Sequence, residues 1–132
     1  MRFAGYAAVF GVADRGGDVV RAGAFGDVAG KAGVPLLWQH RGDVAIGRVE
    51  YLAEDARGLR VIGRLADSAA GAEAARALSA GRIDGLSFGY RVRDARAGPA
   101  GQRELVALEL VEVSLVAVPM QRLARVHMVE SN

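Results

Sequence analysis

Apolar and polar positions alternate with a period of two over most of this chain, the signature of strands with one buried face. RFAGYAAVF (2–10) reads as a first strand of mixed burial, followed by the Gly/Asp loop GVADRGGD. DVVRAGAF (18–25) continues as a short extended piece, and FGDVAGKAG (25–33) allows one or two helical turns. PLLWQH (35–40) is a short apolar run that ends at His40 and predicts a buried strand, with Pro35 at the first position, where a missing N–H costs least. AIGRVEYLAED and RGLRVIGRLA both alternate, and the turn residues Glu54–Gly58 between them make this the clearest hairpin.

Asp67-Ser68 offers an N-cap, and the alanine-rich stretch Ala69–Ser79 is the best helix, with Gly81 placed to end it. IDGLSFGYRVRDA follows as an extended segment, then the loop AGPAGQ. RELVALELVEVSLVAVP carries two apolar runs that a bulge or break near Ala107 would divide, and Pro119 stops it. Within it Leu108, Leu110, Glu112, Ser114 and Val116 share one face. QRLARVHMVE is a tail element of open type. The pattern predicts six or seven strands and one main helix, without the βα alternation of a parallel sheet. The expected fold is mainly β with helices, a mostly antiparallel and barrel-like sheet.

With 132 residues the chain is expected to be one domain, and a domain of that size buries roughly two thirds of its unfolded surface. Hydrophobic residues make up 52%, too many for a disordered chain. The absence of cysteine excludes disulfides, Cys-based zinc sites and a thiol nucleophile, and suits a cytoplasmic setting. The net charge is +2 and Lys31 is the only lysine. The arginines are scattered among acidic and apolar residues, which reads as solvated strand faces and argues against a nucleic-acid surface. No stretch is long enough to span a membrane. The N-terminal MRFAGYAAVFGVA superficially resembles a signal peptide, but its short apolar part and internal glycines favour a first strand.

GLSFG (85–89) fits the G-x-S-x-G pattern of a hydrolase nucleophile elbow. That elbow needs a helix directly after the serine, whereas Phe88-Gly89-Tyr90-Arg91-Val92-Arg93 alternates and favours β structure. The hydrolase reading is rejected on that context. Taken alone, Ser87 is more plainly a small polar residue in a strand. Two further residues shift the balance. His40, at the mouth of a buried strand, is one of only two histidines. Glu112 interrupts an otherwise apolar run, and a buried carboxylate is costly unless paired, for instance with an imidazole. The alternative is a strand whose Glu112 face is open to solvent. Two histidines and no cysteines leave no metal site, GVADRGGD lacks the Lys and Ser/Thr of a P-loop, and no cofactor is expected. Trp38 reads as core packing.

The ordered blocks GYAAVFG, GDVVRAGAF, VPLLWQH with IGRV, GRIDGLSFGY and LVEVSLVAVP resemble the prohead (capsid maturation) protease family of tailed phages, which also occurs in prophages and phage-like gene transfer particles. The resemblance runs from about residue 3 to residue 120. It implies a fold similar to the herpesvirus assemblin proteases, an antiparallel-rich barrel of about seven strands surrounded by one or more helices, with residues 1–132 forming a single protease domain. It also implies a serine endopeptidase acting inside the assembling procapsid, in the host or bacterial cytoplasm.

Carried over by position, the resemblance puts the nucleophile at Ser87, the base at His40 and the third member at Glu112. The herpesvirus enzymes have a histidine in that third place, so the carboxylate is a variant arrangement. His127 lies beyond the last matching block. Oxyanion donors are implied in the loop Met120-Gln121-Arg122, through backbone N–H groups. Successive triad contacts of about 2.6–3.2 Å are expected, with the His40 pKa raised by the nearby carboxylate and activity falling on acidification. The implied partner is the major capsid protein or its scaffold segment, with the chain itself as a further expected substrate and a homo-oligomer left open. The chain stops soon after the last matching block, and both a protease core self-trimmed from a longer precursor and a naturally short chain fit that end. Two other functions stand beside this one: a catalytically silent capsid-assembly scaffold on the same fold, and an arginine-mediated nucleic-acid binder. The presence of Ser87, His40 and Glu112 argues against the first, the scattered arginines against the second.

Overall fold

The computed structural model describes residues 1–28 and 33–131. The strands are β1 (Arg2–Val9), β2 (Asp18–Val20), β3 (Pro35–Trp38), β4 (Arg41–Glu54), β5 (Gly58–Leu65), β6 (Gly85–Ala97), β7 (Arg103–Val116) and β8 (Val126–Glu130). One helix, α1 (Ala69–Ser79), is present among the described residues. Part of the helical expectation over 25–33 lies outside the described residues, and up to Val28 the chain forms turns.

Alternation placed most of these elements correctly because it reports one-sided burial. In β5 the pattern is strict: Leu59, Val61 and Leu65 are buried while Arg60, Ile62 and Arg64 are half-buried. α1 begins where its cap chemistry puts it. The Ser68 hydroxyl accepts the Gly71 N–H at 3.1 Å, and Gly81 takes a φ of 70° just past the end. The helix lays Gly71, Ala74, Ala77 and Leu78 against β4 and β5.

The sheet runs β2-β7-β3-β4-β5-β1-β8, with β6 pairing the other edge of β7. Most pairings are antiparallel; β2 runs parallel to β7 beside Arg103–Leu105, and Leu36–Trp38 of β3 run parallel to it beside Val113–Leu115. Eight strands are present among the described residues, one more than the upper expectation, because the tail of open type forms β8 on the edge of β1. The expected barrel is not closed: the sheet ends approach through an isolated bridge between Gly85 and Arg125. β7 is not divided at Ala107; the strand continues and the ladder with β6 shifts register there instead. The extended piece expected over 18–25 keeps only three residues of strand before turning at Arg21–Ala24.

Phe3, Leu36, Ile46, Leu59, Leu86, Leu105 and Leu115 form the centre of the core. Trp38 packs against that core from the end of β3. Burying a side chain of this size stabilises a fold by about 1.5–3 kcal/mol. Arginines on the outer faces pair with carboxylates, as in Arg64 with Glu50, Arg103 with Asp18 and Arg125 with Asp84.

Candidate active site

Ser87 is the third residue of β6 and is 5% exposed. No helix follows it; the strand continues to Ala97, so the serine is not on a hydrolase elbow. Directly across the ladder stands Ser114 of β7, and two residues further on Gly89 faces Glu112. Residues opposite one another in an antiparallel pair point to the same face, as do positions i and i+2 of one strand. Ser87, Ser114 and Glu112 therefore share a face.

The two glycines around Ser87 have packing reasons. A Cβ at Gly89 would stand 2.4 Å from Glu112 Oε1, and one at Gly85 would stand 2.6 Å from the Val116 carbonyl oxygen and 2.9 Å from Pro119 Cδ. The G-x-S-x-G pattern here marks close approach of one strand to its neighbour.

His40 comes from another element. The expected strand 35–40 ends at Trp38, and Gln39 and His40 form the turn into β4 with φ values of 52° and 61°. These are left-handed conformations, uncommon outside glycine. Hydrogen bonds to β7 hold the turn. Gln39 N–H donates to the Leu115 carbonyl at 2.9 Å, and His40 N–H donates to Ser114 Oγ at 3.1 Å. The Gln39 side chain also accepts the Ala117 N–H at 2.9 Å.

The His40 ring then meets Glu112, with Nδ1 2.5 Å from Oε1. Glu112 is 8% exposed, so its face is not open to solvent. Its second oxygen accepts the Ser114 hydroxyl at 2.6 Å. Both carboxylate oxygens are thus engaged, which is what a buried charge requires. Hydrogen bonding to Glu112 raises the His40 pKa above its ordinary value, with the carboxylate's charge acting in the same direction and partial burial opposing it. Ser87 Oγ makes no hydrogen bond to a described residue, so the expected contact of about 2.6–3.2 Å to His40 is not formed.

Ser87 lines a cavity of about 30 Å³ with Ala7, Asp14, Phe88, Tyr90 and Met120 among its walls. A larger depression of about 460 Å³ lies between β4 and β5 near Arg48 and Asp67, and contains none of the three predicted residues. Chemistry, not volume, marks the site. Met120 and Gln121 border the Ser87 cavity, and Arg122 follows on the exposed bend. The N–H groups of Met120, Gln121 and Arg122 donate to no described acceptor. The Gln121 side chain, however, is turned to Val9 and is not free for a substrate. His127 sits on exposed β8, edge-on to Tyr6 at 5.7 Å.

Sequence reasoning missed Ser114 as a member of the site. The signal was present, since Ser114 is the other polar residue of an apolar run and shares the face of Glu112. Gln39 carried no such signal, because its role depends on a turn that alternation does not reveal.

Solved structures with a similar fold include viral proteases of the assemblin type. The KSHV protease, solved with a hexapeptide phosphonate inhibitor, aligns with a TM-score of 0.68 at 14% identity over 98% of this chain and 65% of its own. The varicella-zoster virus protease aligns with a TM-score of 0.59 at 17% identity over 96% and 62%. These likenesses are of fold. Residues 1–132 match the family of Caudovirus prohead serine proteases, and the chain belongs to that family. The prohead protease of Enterobacteria phage HK97 is 30% identical over 135 residues, covering 98% of this chain. The chain spans 60% of that relative's length.

Proposed function

We propose that this chain is a single-domain serine endopeptidase of procapsid maturation, cleaving the scaffold portion of the major capsid protein, and itself, within the assembling procapsid. The observation that carries this reading is the His40–Glu112 contact at 2.5 Å, made by a carboxylate on the sheet face that also bears Ser87. Family membership supplies the reaction class.

In this reading Ser87 Oγ attacks the scissile carbonyl carbon while His40 Nε2 removes the hydroxyl proton. The C–O bond forms as the carbonyl π pair moves to oxygen. Glu112 holds the Nδ1–H tautomer and stabilises the imidazolium. Collapse of the tetrahedral intermediate breaks the C–N bond, and His40 gives its proton to the leaving amine. Water then repeats the sequence on the acyl-enzyme. The unpaired N–H groups of Met120, Gln121 and Arg122 are the candidate oxyanion donors. One such donor is worth about 2.7–4 kcal/mol.

The missing Ser87–His40 hydrogen bond favours a second reading, a catalytically silent scaffold. Catalytic hydrogen bonds commonly tighten only when substrate binds, which keeps the protease reading ahead. The test is the intact mass of the cognate capsid protein after co-expression with wild type or Ser87→Ala. Shortening with wild type alone supports the protease. No shortening with either, once procapsids form, supports the scaffold. Equal shortening with both removes Ser87 from the chemistry.

A further inference from the structure

β8 covers the outer edge of β1 only from Arg2 to Gly5, and the Tyr6 N–H is taken by the Arg125 carbonyl at 3.1 Å. Beyond that point the edge of β1 has no strand neighbour among the described residues. Val9 is nonetheless 7% exposed, so its backbone groups need partners within the protein. Both find them in one side chain. The Val9 N–H donates to Gln121 Oε1 at 2.7 Å, and Gln121 Nε2 donates to the Val9 carbonyl at 3.2 Å. The carboxamide takes the place of a missing strand partner across 112 residues of sequence.

The other end of Gln121 belongs to the bend beside Ser87. Its carbonyl accepts the Ala124 N–H at 3.0 Å, and the Ala124 carbonyl accepts the N–H of Leu86, the residue before Ser87, at 2.9 Å. Gln121 and Ser87 line the same small cavity. The neighbouring ties are exposed or half-buried: Arg15 N–H to the Met120 carbonyl at 2.9 Å and Arg15 Nε to the Pro119 carbonyl at 3.1 Å. Gln121, at 4% exposure, is the buried one.

Resting on the protease reading, we infer that Gln121 is a positioning residue: its side chain clamps the 120–122 backbone to β1 and so sets those N–H groups relative to Ser87. A carboxamide suits this task because it sets an N–H donor beside a carbonyl acceptor in one plane, the same pair a strand neighbour presents. A hydrocarbon of equal length fills the space but leaves both Val9 groups unpaired and the bend free to shift. A displacement of about 1 Å at a reacting group costs on the order of 10²-fold in rate.

The experiment uses the full chain, with cleavage of the capsid protein and hydrogen exchange at the Val9 amide measured for wild type and Gln121→Met. The inference expects a protected Val9 amide in wild type and fast exchange in the variant. It also expects kcat per folded molecule to fall by about 10²-fold with KM nearly unchanged. Gln121→Glu keeps the acceptor for the Val9 N–H but loses the donor, and lies between the two; it reads the same split if the methionine variant does not fold. An unprotected Val9 amide in wild type overturns the clamp. Fast exchange with an unchanged kcat reduces Gln121 to a structural tie and overturns the positioning role. A wild type that cleaves nothing overturns the protease reading, and the catalytic role with it, while Val9 exchange still reports on the clamp.

Discussion

Gly89 lies directly opposite Glu112 across the β6–β7 ladder, and any side chain at position 89 would occupy the place of the Glu112 carboxylate. The nearest approach of an added Cβ is 2.4 Å to Oε1, the same oxygen that meets His40. Gly89→Ala is therefore expected to displace the carboxylate from the imidazole without emptying the core. Cleavage should drop by at least about 10²-fold, the lower end of what a general acid–base pair contributes. NMR titration of the His40 ring should show its pKa moving down toward the ordinary value. An unshifted His40 would disprove the linkage.

Glu112→Gln keeps the shape and removes the charge. The amide presents either an NH₂ group to Nδ1, which enforces the wrong tautomer, or a neutral oxygen, which stabilises the imidazolium poorly. A fall in kcat of about 10²–10⁴-fold is expected, with little change in KM. Steady-state kinetics on the capsid substrate would check it, and a change confined to KM would count against the role.

The pH dependence follows from the raised His40 pKa. In the proposed mechanism the neutral imidazole is the base, so kcat/KM should be lost as pH falls through that raised value, which lies above about 6.5. Stability runs the opposite way. The attraction between protonated His40 and Glu112 is fully present below the unfolded value of about 6.5 and is lost as pH rises through the folded value. Rate profiles and His40 NMR titration should give one apparent pKa, and Ser87→Ala should leave the titration in place.

Ser114 is fully buried and serves two partners, donating to Glu112 and accepting from the His40 backbone. Ser114→Ala leaves the His40 N–H and one oxygen of the buried Glu112 carboxylate without those partners. A loss of about 1–3 kcal/mol in urea unfolding is expected, with reduced cleavage as the left-handed turn at His40 loosens. Unchanged stability would mean that water replaces the hydroxyl.

Ser68→Ala removes the cap of α1 and should cost about 0.5–2 kcal/mol. Cleavage per folded molecule should not change, since no described bond links Ser68 to the site. Calorimetry and kinetics on the same sample would separate the two effects.

Element positions were legible because burial on one face leaves a period of two in the chain, and because Ser68 and Gly81 carry cap chemistry within a few residues of the helix they bound. The β4–β5 hairpin was readable for the same local reason. The tail forming β8 was not, since Val126–Glu130 is mostly exposed and gains strand form only by pairing with β1. The ends of the sheet meet through the bridge between Gly85 and Arg125, forty residues apart, a contact that leaves no pattern in either segment.

The same division applies to the site. Residue chemistry alone singled out Ser87, His40 and Glu112: a serine between glycines, one of two histidines, and a carboxylate in an apolar run. Tertiary structure alone decided that His40 and Glu112 meet and that Ser87 lies on the same sheet face as Glu112. β3 runs parallel to β7, so the turn at Gln39 and His40 lands beside Ser114 and Glu112. Likewise nothing local announces that Gln121 completes the edge at Val9. Periodicity records which face of an element is buried; it holds no information on which distant backbone will need the hydrogen bonds a side chain can offer.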